Sequence, residues 1–143
     1  MEKYCSLKKH YQEPTKSYNL ISTSFFLTDN AYKDPIKKYV FGLKASVDNF
    51  FLHFDKTYYF RIYYDNSVLK KLHKKEELNN AIDDILKMFD ELKTKPRIQL
   101  VEFSCKDFKK DDLHIGLFPT FLRFNPLFED NSKIKNIIIS DIE

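Results

Sequence analysis

The chain has two glycines and no tryptophan among its 143 residues. So little glycine leaves no room for a glycine-rich phosphate loop. Neither G-x-G-x-x-G nor G-x-x-x-x-G-K-[ST] occurs, which removes the dinucleotide-fingerprint and P-loop classes. Cysteine is equally scarce. Cys5 and Cys105 stand far apart with no metal-ligand spacing, and two scattered cysteines suit a reducing compartment. The N-terminus lacks the apolar core of a signal peptide. No apolar run reaches the roughly 20 residues that span a membrane as a helix. The expectation is a cytoplasmic protein without a membrane span. His10, His53, His73 and His114 are scattered and make no metal-spaced pair. Cys105 has no activating partner nearby in sequence, which argues against a cysteine nucleophile.

Core material, by contrast, is plentiful. Fourteen Phe and nine Tyr lift the aromatic share to 16%, enough for one domain to close without a disulfide staple, since a chain of this size buries roughly 70% of its unfolded surface. The net charge of +3 is mild, and the lysines come in pairs (Lys8-Lys9, Lys37-Lys38, Lys70-Lys71, Lys74-Lys75, Lys109-Lys110) among 21 acidic residues. That pattern describes a solvated surface more than a nucleic-acid footprint.

Periodicity divides the chain into a polar leader, residues 1–17 with at most one short element, and an α/β domain, residues 18–143. A β-branched and aromatic run, Tyr18 to Leu27, predicts the first strand of that domain. Asp34-Pro35 is a helix start. Ile36, Tyr39, Val40, Leu43, Val47, Phe50, Phe51 and Phe54 then recur at helical spacing to about His53. Gly42 inside this helix either permits a close approach to the strands or is a tolerated accident. Thr57–Asp65 predicts a second strand and Glu76–Lys93 a second amphipathic helix, with Leu78, Ile82, Ile85, Phe89 and Leu92 inward. Arg97–Phe103 alternates as an edge or half-covered strand would. Lys106–His114 reads as a charged connection. Gly116–Phe128 predicts a third helix, distorted by Pro119 and Pro126. Lys133–Ser140 reads as a last strand covered on both faces. Strands alternating with helices imply a three-layer α/β/α, mostly parallel, Rossmann-like sheet with right-handed crossovers.

In such sheets ligands bind beyond the carboxyl ends of the strands, where strand order reverses. The polar residues at those ends are Thr28, Asp29, Asp65, Asp141 and Glu143. Asp141 and Glu143 sit two apart, so in extended chain they share a side. Two carboxylates at a strand end can hold a divalent cation against phosphate oxygens. Asp65 serves equally well as the cap of the following turn. Arg123 either pairs a carboxylate structurally or reaches a ligand.

Four pieces, taken in order, resemble one family. Ile21-Ser22-Thr23-Ser24-Phe25-Phe26 is similar to the opening strand of a group of GT-A glycosyltransferase-like proteins. Tyr32, Tyr39 and Gly42 are similar to its early tyrosines and helix glycine. Arg61-Ile62-Tyr63-Tyr64-Asp65 resembles its second strand. Gly116 to Leu127, with Arg123-Phe124-Asn125-Pro126-Leu127, followed by Ile139-Ser140-Asp141-Ile142-Glu143, resembles its arginine-bearing segment and its DxD motif. The resemblance covers residues 18 to 143. It implies a GT-A-like sheet of order 3-2-1-4 that binds a nucleotide-diphospho-sugar donor. Asp141 and Glu143 would hold Mn²⁺ or Mg²⁺ on the donor's diphosphate, with Ser24, Phe25, Asp65 and Arg123 near the nucleotide. The acceptor is unknown.

Glu143 stands where the family has a second aspartate, and no arginine precedes Asp141. The family's acceptor half follows the DxD motif, so a chain stopping at Glu143 would carry the donor half alone. Those departures leave a second expectation open, a non-catalytic α/β remnant acting as a binding or scaffolding module.

Overall fold

A computed structural model describes residues 5–26, 35–69, 76–105, 109–110, 113–114 and 118–142. Along them run β1 (Ser6–Lys9), β2 (Tyr18–Phe25), α1 (Pro35–His53), β3 (Tyr58–Asp65), α2 (Glu76–Thr94) and β4 (Ile98–Ser104). A short ribbon, β5 (Lys109–Lys110) and β6 (Leu113–His114), then precedes a run of 3-10 turns at Phe118–Phe128 and the last strand, β7 (Ile134–Ile139). A single 3-10 turn, Asn66–Leu69, follows β3.

The main sheet has five strands in the order β1-β4-β3-β2-β7. Strands β2, β3, β4 and β7 are parallel, and β1 runs antiparallel to β4. The fold is therefore α/β and mostly parallel, compatible with a Rossmann-like sheet. The order differs from the expected 3-2-1-4 because β1, from the polar leader, adds a strand outside β4. Its four residues, Ser-Leu-Lys-Lys, are too short and polar to announce a strand from sequence; pairing with β4 supplies what local pattern does not.

Both α-helices lie on one face. Val40, Leu43, Val47 and Phe50 of α1 and Ile85, Met88, Phe89 and Leu92 of α2 pack on Ile21, Phe25, Phe60, Ile62, Tyr64, Ile98 and Leu100 of the sheet. Crossovers of one hand, advancing in one direction from β2 to β3 to β4, place successive helices on the same side. The opposite face holds a smaller cluster of Cys5, Tyr63, Val101, Phe103, Cys105 and Leu122. Its cover is the Phe118–Phe128 run rather than an α-helix. Pro126 inside that run removes an N–H and crowds the preceding turn, which breaks the predicted third helix into 3-10 turns.

Coverage of two strands departs from expectation. Strand β4, read as an edge or half-covered strand, lies between β1 and β3. Strand β7, read as covered on both faces, is an edge among the described strands, with Lys135, Asn136 and Ile138 exposed. Apolar content reports burial only where neighbours exist to provide it.

One tie joins the amino-terminal ends of the parallel strands. Arg97, in the left-handed region at φ 64°, lays its guanidinium over Phe50 at 4.9 Å and donates to the Asp55 carbonyl at 2.6 Å. The α2–β4 turn is thereby fastened to the end of α1.

Candidate functional site

The chain steps from β2 to β3 to β4 in one direction, then returns to lay β7 on the other side of β2. Strand order thus reverses between β2 and β7, and the crevice beyond their carboxyl ends is where ligands of open α/β sheets bind. Ser22 and Ile139 are the last residues paired between these two strands. One residue on, the Ser140 N–H still donates to the Ser22 carbonyl at 2.9 Å.

The Phe118–Phe128 run is docked on this edge through its backbone. The buried Ser22 hydroxyl donates to the Arg123 carbonyl at 2.7 Å. From that anchor the Arg123 side chain passes over the Phe124 ring at 5.4 Å. Its Nη1 donates to the Ser140 carbonyl at 3.4 Å and forms an ion pair with Oδ1 of Asp141. Arg123 Nε is buried without a hydrogen-bond partner. Asp141 is otherwise open, with 69% of its side chain exposed.

Of the residues singled out from sequence, Arg123 and Asp141 meet directly. Ser24 stands half-buried at the end of β2, in register with Tyr63. Asp65 is buried at the end of β3, where the turn Asn66–Leu69 begins. Phe25 points the other way, into the helix-side core, with its ring 5.8 Å from Phe89. Thr28, Asp29, Tyr32 and Glu143 lie outside the described residues. Among the described residues no group of three or more His, Cys, Asp or Glu is placed to hold a metal ion.

A second polar cluster on the same face, centred on the register partner of Ser22, escaped sequence reasoning. Arg61 in the middle of β3 is fully buried. Its Nε donates to Gln99 Oε1 at 2.9 Å, and its Nη1 donates to both carboxylate oxygens of Glu129 at 3.0 Å. Tyr63 and Tyr18 hydroxyls each accept from it at 3.3 Å. Tyr11 lays its ring 5.3 Å from the guanidinium. Burial pushes the Tyr11, Tyr18 and Tyr63 phenols up, with Arg61 pulling back in each case. Burial also acts to raise the Glu13 carboxyl, yet hydrogen bonds from Tyr18 and Asn131 and the charges of Arg61 and Lys9 hold it below its ordinary value. The available signal was an arginine inside a strand of aromatic and β-branched residues, because a buried cation requires several partners.

The cysteines also depart from expectation. Cys5 and Cys105, 100 residues apart, form a disulfide that joins the start of β1 to the end of β4. The antiparallel addition of β1 brings the two together. The argument for a reducing compartment from separate thiols therefore loses its footing. No helix among the described residues is long and apolar enough to cross a membrane.

Comparison with protein-family models, with curated proteins and with solved structures gives no match.

Proposed function

We propose that this chain is a GT-A-like glycosyltransferase domain that binds a nucleotide-diphospho-sugar at the carboxyl ends of β2, β3 and β7. The observation that carries the reading is the meeting of Arg123 with Asp141 where strand order reverses. A diphosphate asks for a cation and for a carboxylate that can recruit a second one. The likeness of the Arg123 segment and of Ser140-Asp141-Ile142-Glu143 to the family's motifs supports the same reading.

The donor chemistry at this edge fits Mn²⁺ or Mg²⁺. Asp141 presents a hard, largely solvent-facing carboxylate. Mg²⁺ in nucleotide sites takes one or two protein carboxylates and completes its shell from phosphate and water. Asp141 would hold the ion, together with Glu143. When bound, the ion would supply Lewis-acid stabilisation of the departing nucleotide diphosphate. Arg123, released from Asp141, would present its planar donor fork to a phosphate oxygen. Ser24 and Asp65 would line the nucleotide side of the crevice, and Phe25 would hold the β2 end rigid from behind. In this reading the acceptor is of unknown class.

The ion pair itself favours a second reading. With Asp141 already neutralised by Arg123, and with β7 an open edge among the described strands, the domain would serve as a non-catalytic binding module that adds a partner strand.

Calorimetric titration of UDP and GDP, with and without Mn²⁺, separates the two. Binding that requires both Mn²⁺ and an intact Asp141 supports the donor site. A folded protein that binds neither nucleotide, or one in which Asp141→Ala changes nothing, removes the glycosyltransferase reading.

A further inference from the structure

We infer that Gly42 is a positioning residue: together with Ile142 it forms a clamp on the helix side that sets where the Asp141 carboxylate stands. The consequence for ligand binding rests on the donor-site reading above; the clamp itself does not.

Beyond β7 the chain alternates sharply in environment. Asp141 is exposed, while its neighbour Ile142 is buried in the core shared with Val40, Leu43 and Val47 of α1. Anchoring one residue this way fixes the peptide that carries the other. The anchor meets α1 at Gly42, and it meets it through backbone. A Cβ on residue 42 would stand 2.5 Å from the Ile142 carbonyl oxygen and 3.0 Å from its Cγ2. A carbonyl oxygen cannot rotate aside as a side-chain tip can. Any side chain at 42 therefore moves the 142 peptide or the helix. Glycine is a poorer helix former than alanine, and the close approach accounts for its presence here.

From the opposite side Arg123 holds the Ser140 carbonyl and the Asp141 carboxylate, and the Ser22 carbonyl accepts from the Ser140 N–H. Residues 140–142 are thus gripped on both faces of the sheet, with Asp141 between the two grips. A displacement of the Ile142 Cα passes to the Asp141 Cα through the three covalent bonds of the planar 141–142 peptide.

The test compares Gly42→Ala with Ala45→Gly, an exposed position on the same helix, in the full chain. In metal-free protein, amide exchange and chemical shifts by NMR read the clamp directly. Gly42→Ala is expected to shift Asp141 and Ile142 and to strip protection from the Ser140 amide, while Ile21 and Ile62 in the sheet interior keep theirs. Unchanged Ser140 protection and unchanged 141–142 shifts overturn the inference. Should Gly42→Ala fail to fold, Ile142→Ala removes the anchor from the other side and is expected to give the same release of Ser140. With UDP as probe, Gly42→Ala is expected to cut the enhancement of binding by Mn²⁺ about tenfold, the lower end of the usual effect of disturbing a group that orients a metal ligand, and to leave metal-free UDP binding as it was. A loss that is equal with and without Mn²⁺ marks a merely structural glycine and overturns the positioning role. If the unsubstituted chain binds no UDP or GDP, the donor-site reading falls, and the metal-free experiment still decides the clamp.

Discussion

Two arginines meet at the 3-10 cover, Arg61 beneath it in β3 and Arg123 within it, and they differ in how far the fold engages them. Arg61 is sealed. Each of its nitrogens donates to a protein oxygen, Glu129 takes it with both carboxylate oxygens, and no surface remains for a ligand. Arg123 is mostly buried but less fully engaged. One nitrogen is shared between Ser140 and an exposed carboxylate, and Nε has no hydrogen-bond partner. A guanidinium carries five donors in a fixed fork. Where the fold engages all of them, the residue is architecture. Where it leaves a donor unspent beside a carboxylate at the switch point, the residue is the candidate for the ligand contact proposed above.

The sharpest way to break that contrast is to remove each cation in turn. Arg61→Ala leaves buried Gln99 and part-buried Glu129 without their shared cation, and the expected loss is about 3 kcal/mol, the lower end for broken buried pairs. Arg123→Ala takes away a pair whose partner faces water, for which about 0–1 kcal/mol is expected. Urea unfolding of the two variants measures both. Comparable losses would show that the two sites do the same job.

The disulfide offers the next largest effect. Joint Cys5→Ser and Cys105→Ser substitution opens a loop of 100 residues and is expected to cost about 2–4 kcal/mol. The loss should fall on the β1 side, next to the sealed arginine. Native-state hydrogen exchange should therefore show the Lys8 and His10 amides, which face β4, freed while Ser22 and Ser140 stay protected. Freed amides at Ser140 would mean that the β1 and β7 sides of the sheet are not independent.

Acid gives the smallest and most local test. The folded-state pKa of Glu13 lies below its unfolded value. Its ionised form therefore stabilises the fold above the unfolded value, and that contribution is lost as pH falls through the folded one. Glu13→Gln should lower stability at neutral pH and flatten its decline below the ordinary glutamate value of about 4.3. Identical pH profiles for both proteins would remove Glu13 from the Arg61 network.

Much of the frame was legible because the relevant signals are local. The two α-helices and the four parallel strands appear within a residue or two of their predicted ends, since apolar periodicity is a property of neighbouring side chains. A carboxyl-end location for the site followed from alternation of strand and helix, with Asp141 visible as a polar residue there, while Arg123 was placed near it through the family resemblance. What pairs them was not visible. Ser22, whose hydroxyl docks the Arg123 backbone, reads in sequence as one more strand residue.

The sequence by itself determined an α/β chain with two amphipathic helices, a mostly parallel sheet and acids at strand ends, because each rests on spacing within a few residues. Tertiary structure alone decided that Ser6–Lys9 joins β4, that Cys5 meets Cys105, that Arg61 finds Glu129 and Gln99, and that Gly42 faces the Ile142 carbonyl. Each of these contacts joins residues at least 38 apart in the chain. Such contacts depend on where crossovers set the strands down, and no local pattern encodes the residue waiting on the far side.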